Sequence, residues 1–396
     1  MSSEATQDLY NYVGELLNNK YIVLTKLGEG ASAGVWFSYN IQDKKYYAIK
    51  IHNIDYTDYG EKETKILNTL NRLKCPNIMK VVDSFSYEEH EYVNYCIVMP
   101  VAIGSLYDLY HKTEQYQEGL PIEWVLNIKN KMHETLKCIH SHGIMHTDVK
   151  PDNILIKGFN RKCEEIKKKV DKFNYDKELQ KQKKRNKKNY IKKTIDKLIE
   201  HLKIRDDDSD DESSDDSTVE SSVYSFYNLL SEDDEEKKKN LLTDFCDPKY
   251  LHNMDIMLSD FGYAKAISEL TTKEIQTKYY RSPEIILGCS YNESADFWAL
   301  GCSLYEIATG KILFDVDAYE ELNENRGHMF MIVSLLGPPP KSYSSGRRWK
   351  DIFRQDGLMK GINEINYEDK RIFFSQTISN IELVTYLGEI IDYIFI

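Results

Sequence analysis

Along the first hundred residues, apolar positions come in short runs separated by turn residues. Tyr21–Leu27 and Val35–Tyr39 carry apolar and β-branched side chains on either side of a glycine-rich turn, which predicts a hairpin. Tyr46–Ile51 predicts a third strand, and Ile78–Phe85 and Tyr95–Met99 predict two more. Between them Ile66, Leu67, Leu70 and Leu73 recur at helical spacing, so a helix is expected over Glu61–Leu73. From Leu106 the pattern turns mostly helical, and Val125, Ile128, Met132, Leu136 and Ile139 mark one face of a helix over Trp124–His142. Short apolar runs at Ile154–Ile156 and Ile256–Leu258 predict further strands. Ile378–Ile396, apolar but broken by Glu382, Glu389 and Asp392, predicts a core helix. The expected class is α+β, with a small antiparallel sheet and one main helix ahead of a larger, mainly helical part.

The pattern lapses over residues 158–255. Lys162–Arg205 is heavily basic, and Asp206–Glu236 is acidic and serine-rich. Low hydrophobicity and charge blocks do not offset ordering entropy, so a disordered surface spacer is expected, joining the strands at 154–156 and 256–258. Ile191, Ile195, Leu198, Ile199 and Leu202 allow one amphipathic helix within it.

Composition narrows the function class. The chain has 396 residues, 41% of them hydrophobic, which is ample for a core, and a formal charge of −12, which argues against a nucleic-acid binder. Seven cysteines without a Cys-x-x-Cys pair point to a reduced compartment rather than a disulfide framework or a zinc site. Met1–Asp8 has no signal-peptide core, and no uninterrupted apolar run is long enough for a bilayer. A soluble, cytoplasmic monomer without membrane contact is expected. Lys183–Lys188 offers a route to the nucleus, although such runs are more often solvated linker charge. The abundance of Lys, Asn, Ile and Tyr suggests an AT-rich genome, and for a viral one the location is the host cell.

The chemistry lies in short motifs. His146-Thr147-Asp148-Val149-Lys150-Pro151-Asp152-Asn153 brings together an acid that can take a hydroxyl proton, a lysine that can stabilise transferred phosphate charge and an asparagine that can hold a metal. Gly28-Glu29-Gly30-Ala31-Ser32-Ala33-Gly34-Val35 lies between two strands, where glycines permit close backbone approach to phosphates. Lys50 ends Tyr47-Ala48-Ile49-Lys50, and Glu63 on the following helix is its expected ion-pair partner, with Glu61 the competing choice. Asp260-Phe261-Gly262, Ser282-Pro283-Glu284 and Asp296-Phe297-Trp298 follow downstream. Each alone is weak; in this order a chance match is negligible.

These motifs resemble the eukaryotic serine/threonine protein kinases. Thr147 at the middle of His-Thr-Asp, Val35-Trp36, Ile275–Ser282 and the charged spacer more narrowly resemble the SR-protein kinase family of the CMGC group. The likeness runs from about Gly14 to at least Leu336. It implies a two-lobed fold: an extension over 1–20, an N-lobe over 21–99, a hinge over 100–102 and a C-lobe over 103–396, interrupted by the spacer and either truncated at its end or different in its last helices. It implies ATP and Mg2+ as cofactors. ATP would sit against Leu27, the Gly28–Val35 loop, Ala48, Lys50 with Glu63, Met99 as gatekeeper, and Ala102. Asp148 and Lys150 would be catalytic, and Asn153 and Asp260 would hold metal. Phe261, Gly262, Glu284 and Asp296 would support the site, Asp296 by bracing the catalytic loop. Expected partners are protein substrates, arginine/serine-rich in the family. Lys311, Gly327 and Ser334 stand where the family's docking acids are expected, with Glu320, Glu321 and Glu324 nearby. Thr147 replaces an arginine that in many kinases pairs with a phosphorylated activation loop, so activity without that phosphorylation is expected. The rival readings are an active kinase for unrelated substrates and a pseudokinase scaffold acting through the spacer.

Overall fold

The computed structural model describes residues 11–30, 32–89, 92–184, 189–203, 245–269, 274–319, 323–361 and 370–395. The apolar runs of the first hundred residues pair into a six-stranded antiparallel sheet. Its strands are β1 (Leu16–Leu17), β2 (Tyr21–Glu29), β3 (Ala33–Asn40), β4 (Tyr46–His52), β5 (Asp83–Glu89) and β6 (Tyr92–Met99), in the order β1-β2-β3-β4-β6-β5. α1 (Thr57–Arg72) lies on one face and buries Leu67 and Leu70. The strand expected over Ile78–Phe85 starts later. Ile78 instead makes an isolated bridge with Leu258, and the Asn77 carbonyl accepts from Leu258 N–H at 2.7 Å, which ties this segment to the second lobe.

β7 (Ala102–Ser105) leads into α2 (Leu106–Lys112), which starts at a capping box in which Ser105 and Asp108 satisfy each other's backbone N–H. α3 (Ile122–Ser141) buries the predicted Val125, Ile128, Met132, Leu136 and Ile139. β8 (Ile144–Met145) and β9 (Ile154–Lys157) flank the catalytic-loop sequence.

The spacer departs from expectation. Its first part folds as three helices, α4 (Arg161–Phe173), α5 (Tyr175–Lys184) and α6 (Tyr190–Lys203). Cys163, Ile166, Val170 and Phe173 recur at helical spacing among the charges and form a stripe that the basic composition conceals. That stripe, with Tyr175, Ile195 and Leu198, packs on Ile22, Leu24, Phe37, Tyr39 and Val101. Asn160 caps α4 by accepting from Cys163 N–H at 2.9 Å, and Asn174 ends it in the left-handed region at φ 50°. Tyr46 Oη donates to Asp171 at 2.7 Å, and Lys44 pairs with Asp176. The insert is rooted in the helical lobe and lies on the sheet lobe. The acidic, serine-rich block and most of the Lys183–Lys188 run fall outside the described residues.

After the insert, β10 (Ile256–Leu258) pairs with β9, which pairs with β7, and β11 (Lys265–Ala266) pairs with β8. α7 (Pro283–Leu287) and α8 (Ser294–Thr309) follow, α8 buried on almost every side. Around it stand α9 (Glu324–Leu336), α10 (Trp349–Ile352), α11 (Lys370–Thr377) and α12 (Ile381–Phe395), with Leu383, Val384 and Leu387 of α12 in the core. A second departure concerns cysteine: Cys75 and Cys138 are joined in a disulfide, because the end of α1 and the end of α3 meet. No helix among the described residues is long and apolar enough to cross a membrane.

Leu198 is fully buried between the insert and the sheet. Leu198→Ala should therefore destabilise the protein by about 2–5 kcal/mol, read as a lowered urea midpoint. An unchanged midpoint would mean that the insert does not pack on the lobe.

Candidate active site

Register fixes the first part of the site. Val35 lies opposite Lys50 across β3–β4, and Ala48 lies opposite Met99 across β4–β6. Lys50 Nζ then donates to Glu63 Oε2 at 2.8 Å and to Asp260 Oδ1 at 2.9 Å. The second Glu63 oxygen accepts from the Phe261 N–H at 3.2 Å, so one α1 carboxylate holds both a strand lysine and the backbone beyond Asp260. Burial opposes ionisation of Glu63, but the Lys50 charge and hydrogen bond outweigh it and hold the carboxyl well below its usual range. Glu61 faces solvent, 3.6 Å from Lys65. Asp260 sits in the left-handed region at φ 62°. Phe261 is fully buried, edge-on to His146 at 4.7 Å.

The loop after β8 hangs from Asp296. That carboxylate, on the first turn of α8, has no exposure. It accepts from the backbone N–H of His146 and of Thr147, both at 2.8 Å, and lies 2.9 Å from His140 Nε2. Thr147 is held at φ 73°, and its hydroxyl donates to the Tyr263 carbonyl at 3.0 Å. His146 Nδ1 faces the Asp148 N–H at 3.2 Å, which leaves Nε2 to donate to the Ser259 carbonyl at 2.9 Å. His146 is thus spent on structure.

Asp148 is the centre of the remaining contacts. Lys150 Nζ lies 3.0 Å from Asp148 Oδ2, and Asn153 Nδ2 donates to the Asp148 carbonyl at 2.8 Å and to its carboxylate at 3.1 Å. Thr277 Oγ1 donates to Asp148 Oδ1 at 2.7 Å and accepts from Lys150 Nζ at 2.9 Å. Burial would raise the Asp148 pKa, but Lys150 and the Thr277 hydrogen bond prevail and lower it. In the sequence Thr277 stands out only as part of the Ile275–Ser282 likeness. Its hydroxyl in fact bridges the acid and the lysine, a role that the Ile-Gln-Thr motif could have signalled.

Leu27 and Val35 are half-buried over the cleft, Ala48 and Met99 are buried beneath it, and Ala102 is half-buried in β7. A Cβ at Gly28 would meet no protein atom within 4 Å, so the space above this strand is open to a close ligand. Gly30 N–H donates to the Ala33 carbonyl at 3.0 Å, and the Ser32 carbonyl accepts from Asn53 N–H at 3.0 Å. Gly34 backs onto Trp36, Glu29 pairs with Lys26 at 2.6 Å, and Ala31 lies outside the described residues. Gly262 is buried behind Phe261. Glu284 is buried at the start of α7, and burial pushes its carboxyl up to about 7. Arg348 donates to the Ile285 and Ile286 carbonyls of the same helix and pairs with Glu274.

An ion-paired lysine on the sheet lobe, with an ionised acid and an asparagine on the loop after β8, is the apparatus of phosphoryl transfer, and comparison with known proteins agrees. The protein kinase domain family matches residues 21–192 and 235–377. The chain is a protein kinase. A protein of Acanthamoeba polyphaga mimivirus, named as serine/threonine-protein kinase L205, is 27% identical over 414 residues, spanning 85% of this chain and 76% of that one. SRSF protein kinase 3 of Mus musculus is 25% identical, spanning 90% of this chain and 79% of its own length. Protein kinase dsk1 of Schizosaccharomyces pombe is 25% identical, spanning 90% and 73%. The crystal structure of the PF14_0431 kinase domain shares the fold, with a TM-score of 0.60 at 20% identity, covering 96% of this chain and 92% of that one.

The kinase is accordingly an ATP-dependent serine/threonine enzyme related to the SR-protein kinases.

The buried Lys50–Glu63 pair generates a prediction about acid. A carboxylate whose folded pKa is lowered contributes stability that is present above its unfolded value, near 4.5, and lost as pH falls below it. The urea midpoint of the wild type should therefore exceed that of Glu63→Gln at neutral pH, with the gap shrinking below about pH 4.5. A gap independent of pH would place the stabilisation elsewhere.

Proposed function

We propose that this kinase transfers the ATP γ-phosphoryl group to serine and threonine hydroxyls of arginine/serine-rich or basic proteins, without needing phosphate on its activation segment. The observation that carries this reading is the Thr277–Asp148–Lys150 bridge. It holds an ionised acid and a cation side by side where a substrate hydroxyl must enter, and Thr277 itself shows that the acid accepts from a hydroxyl at 2.7 Å.

In this reading Asp148 orients the acceptor hydroxyl and takes its proton, and Lys150 stabilises charge on the transferred phosphate. Lys50, fixed by Glu63, holds the nucleotide phosphates under the Gly28–Val35 loop, and Ala48, Met99 and Ala102 receive the adenine. Asp260 and the amide oxygen of Asn153 are hard oxygen donors that suit Mg2+, which when bound neutralises phosphate charge.

Contacts of three side chains support independence from activation-loop phosphate. Thr147 cannot form a bidentate ion pair, and its hydroxyl instead holds the Tyr263 carbonyl. Gln276, at φ 70°, donates from its amide to the Ala295 carbonyl at 2.6 Å and accepts from Ser282 N–H at 2.9 Å. Glu274 pairs with both Arg281 and Arg348, tying the segment to the helical lobe. For substrate preference the support is the family likeness, the net charge of −12 and exposed Asp152 four residues after the acid. The acids near this face depart from the family pattern: Glu324 is engaged by Arg281 at 3.5 Å, and Glu320 and Glu321 lie outside the described residues.

The test is magnesium-dependent phosphate transfer from ATP to an arginine-serine peptide, a generic basic peptide and an acidic one. The arginine-serine peptide should be preferred, and Asp148→Asn should lower kcat by at least about 100-fold while changing ATP binding little. Preference for the acidic peptide would overturn the substrate assignment, and equal loss of ATP binding would overturn the role of Asp148. Glu274→Ala leaves Arg281 and Arg348 without their shared carboxylate and should lower kcat/KM by about 10-fold. Unchanged kinetics would show that this pairing does not hold the segment.

A further inference from the structure

The segment after α1 is the place where the sheet lobe's helix is fastened to the helical lobe. Asn77 Nδ2 donates to the Lys131 carbonyl at 3.3 Å and to Thr135 Oγ1 at 3.2 Å, both on α3. At the same junction Cys75 and Cys138 are bonded, their Cα atoms 5.7 Å apart across 63 residues of sequence. Cys75 is buried, Cys138 is half-buried, and exposed His142 places Nδ1 3.8 Å from one sulfur and 3.9 Å from the other. The other cysteines are all buried free thiols. Burial pushes Cys96 and Cys163 up to about 12 and Cys246 and Cys289 up to about 11, where the reactive thiolate is scarce. The Cys75–Cys138 pair alone combines a mutual partner with a path to solvent.

The same three residues have the composition of a metal site. His142 Nδ1, however, lies 2.8 Å from the Cys138 carbonyl, which can only accept. That nitrogen therefore carries the proton and has no lone pair to offer a metal.

We propose that Cys75 and Cys138 form a reversible thiol–disulfide site that fastens the end of α1 to the helical lobe. With a peroxide as oxidant, the Cys138 thiolate attacks one peroxide oxygen, the O–O bond breaks, and the departing hydroxide is protonated to water. Cys75 sulfur then attacks the Cys138 sulfenic sulfur, the S–O bond breaks, and a second water leaves with the Cys75 proton. Two thiols are oxidised and one peroxide is reduced to two waters. A low-molecular-weight dithiol reverses the step by exchange.

The consequence follows from what α1 carries. In the cross-linked structure Glu63 is paired with Lys50 at 2.8 Å. Fastening the far end of α1 restrains excursions that would separate them, so the oxidised form holds the paired state more firmly than the reduced one.

The experiment compares the full-length protein after peroxide and after dithiothreitol, by thiol alkylation with mass spectrometry, thermal unfolding and ATP KM. Peroxide should remove the Cys75 and Cys138 thiols from alkylation and raise Tm by about 5 °C. It should also lower ATP KM roughly threefold. Dithiothreitol should reverse all three changes, and neither Cys75→Ser nor Cys138→Ser should show them. Alkylation and melting do not depend on the kinase reading, and the wild-type comparison needs no variant to fold. Two alkylatable thiols after peroxide would overturn the proposal, as would a cross-link that leaves Tm and KM unchanged. So would zinc alone, if it protected both thiols of the reduced protein and stayed bound through gel filtration.

Discussion

Asp296 is the constraint from which the site is built. A carboxylate without exposure must be paid in hydrogen bonds, and its partners are two consecutive backbone N–H groups and a histidine ring. Satisfying that charge fixes the turn at His146–Thr147 in a left-handed conformation that threonine rarely adopts. The turn aims Asp148 toward Thr277 and presents the Thr147 hydroxyl to Tyr263. The loop after β8, the segment after Asp260 and Thr277 therefore share one buried anchor on α8.

A second anchor, Glu63, works across the lobes. It accepts from a strand lysine on one side and from the Phe261 backbone on the other, so Lys50 and Asp260 are positioned together. Burial makes this pairing obligatory, because either charge alone in that place would be uncompensated. The insert helices add a third tie, since they leave the helical lobe at β9 and pack on Phe37 and Tyr39 of the sheet and on Val101 just after it. Contacts of its own side chains connect the two lobes of this kinase at the insert and at α1.

Much of this was legible in the sequence where spacing is short. Asp148, Lys150 and Asn153 sit within six consecutive positions, and no fold that forms the loop can separate them far. Lys50 and Glu63 were legible because a strand end and the next helix face the same cleft, and burial decided between Glu63 and Glu61. The insert was misread because charge dominates its composition, while Cys163, Ile166, Val170 and Phe173 need a partner surface before their spacing means anything. The Cys75–Cys138 bond joins residues 63 apart and leaves no local trace. Thr277, Gln276 and Glu274 were in plain view, but their roles depend on which backbone groups the folded segment meets.

The central claim is that this site is assembled by its own side chains rather than by an added phosphate. The most direct measurement is the turnover of arginine-serine peptide by enzyme that has been treated with phosphatase and shown by intact mass to carry no phosphate. The account predicts full turnover from the first minutes, without a lag. Negligible turnover, restored only when mass shows a phosphate on the activation segment, would contradict it.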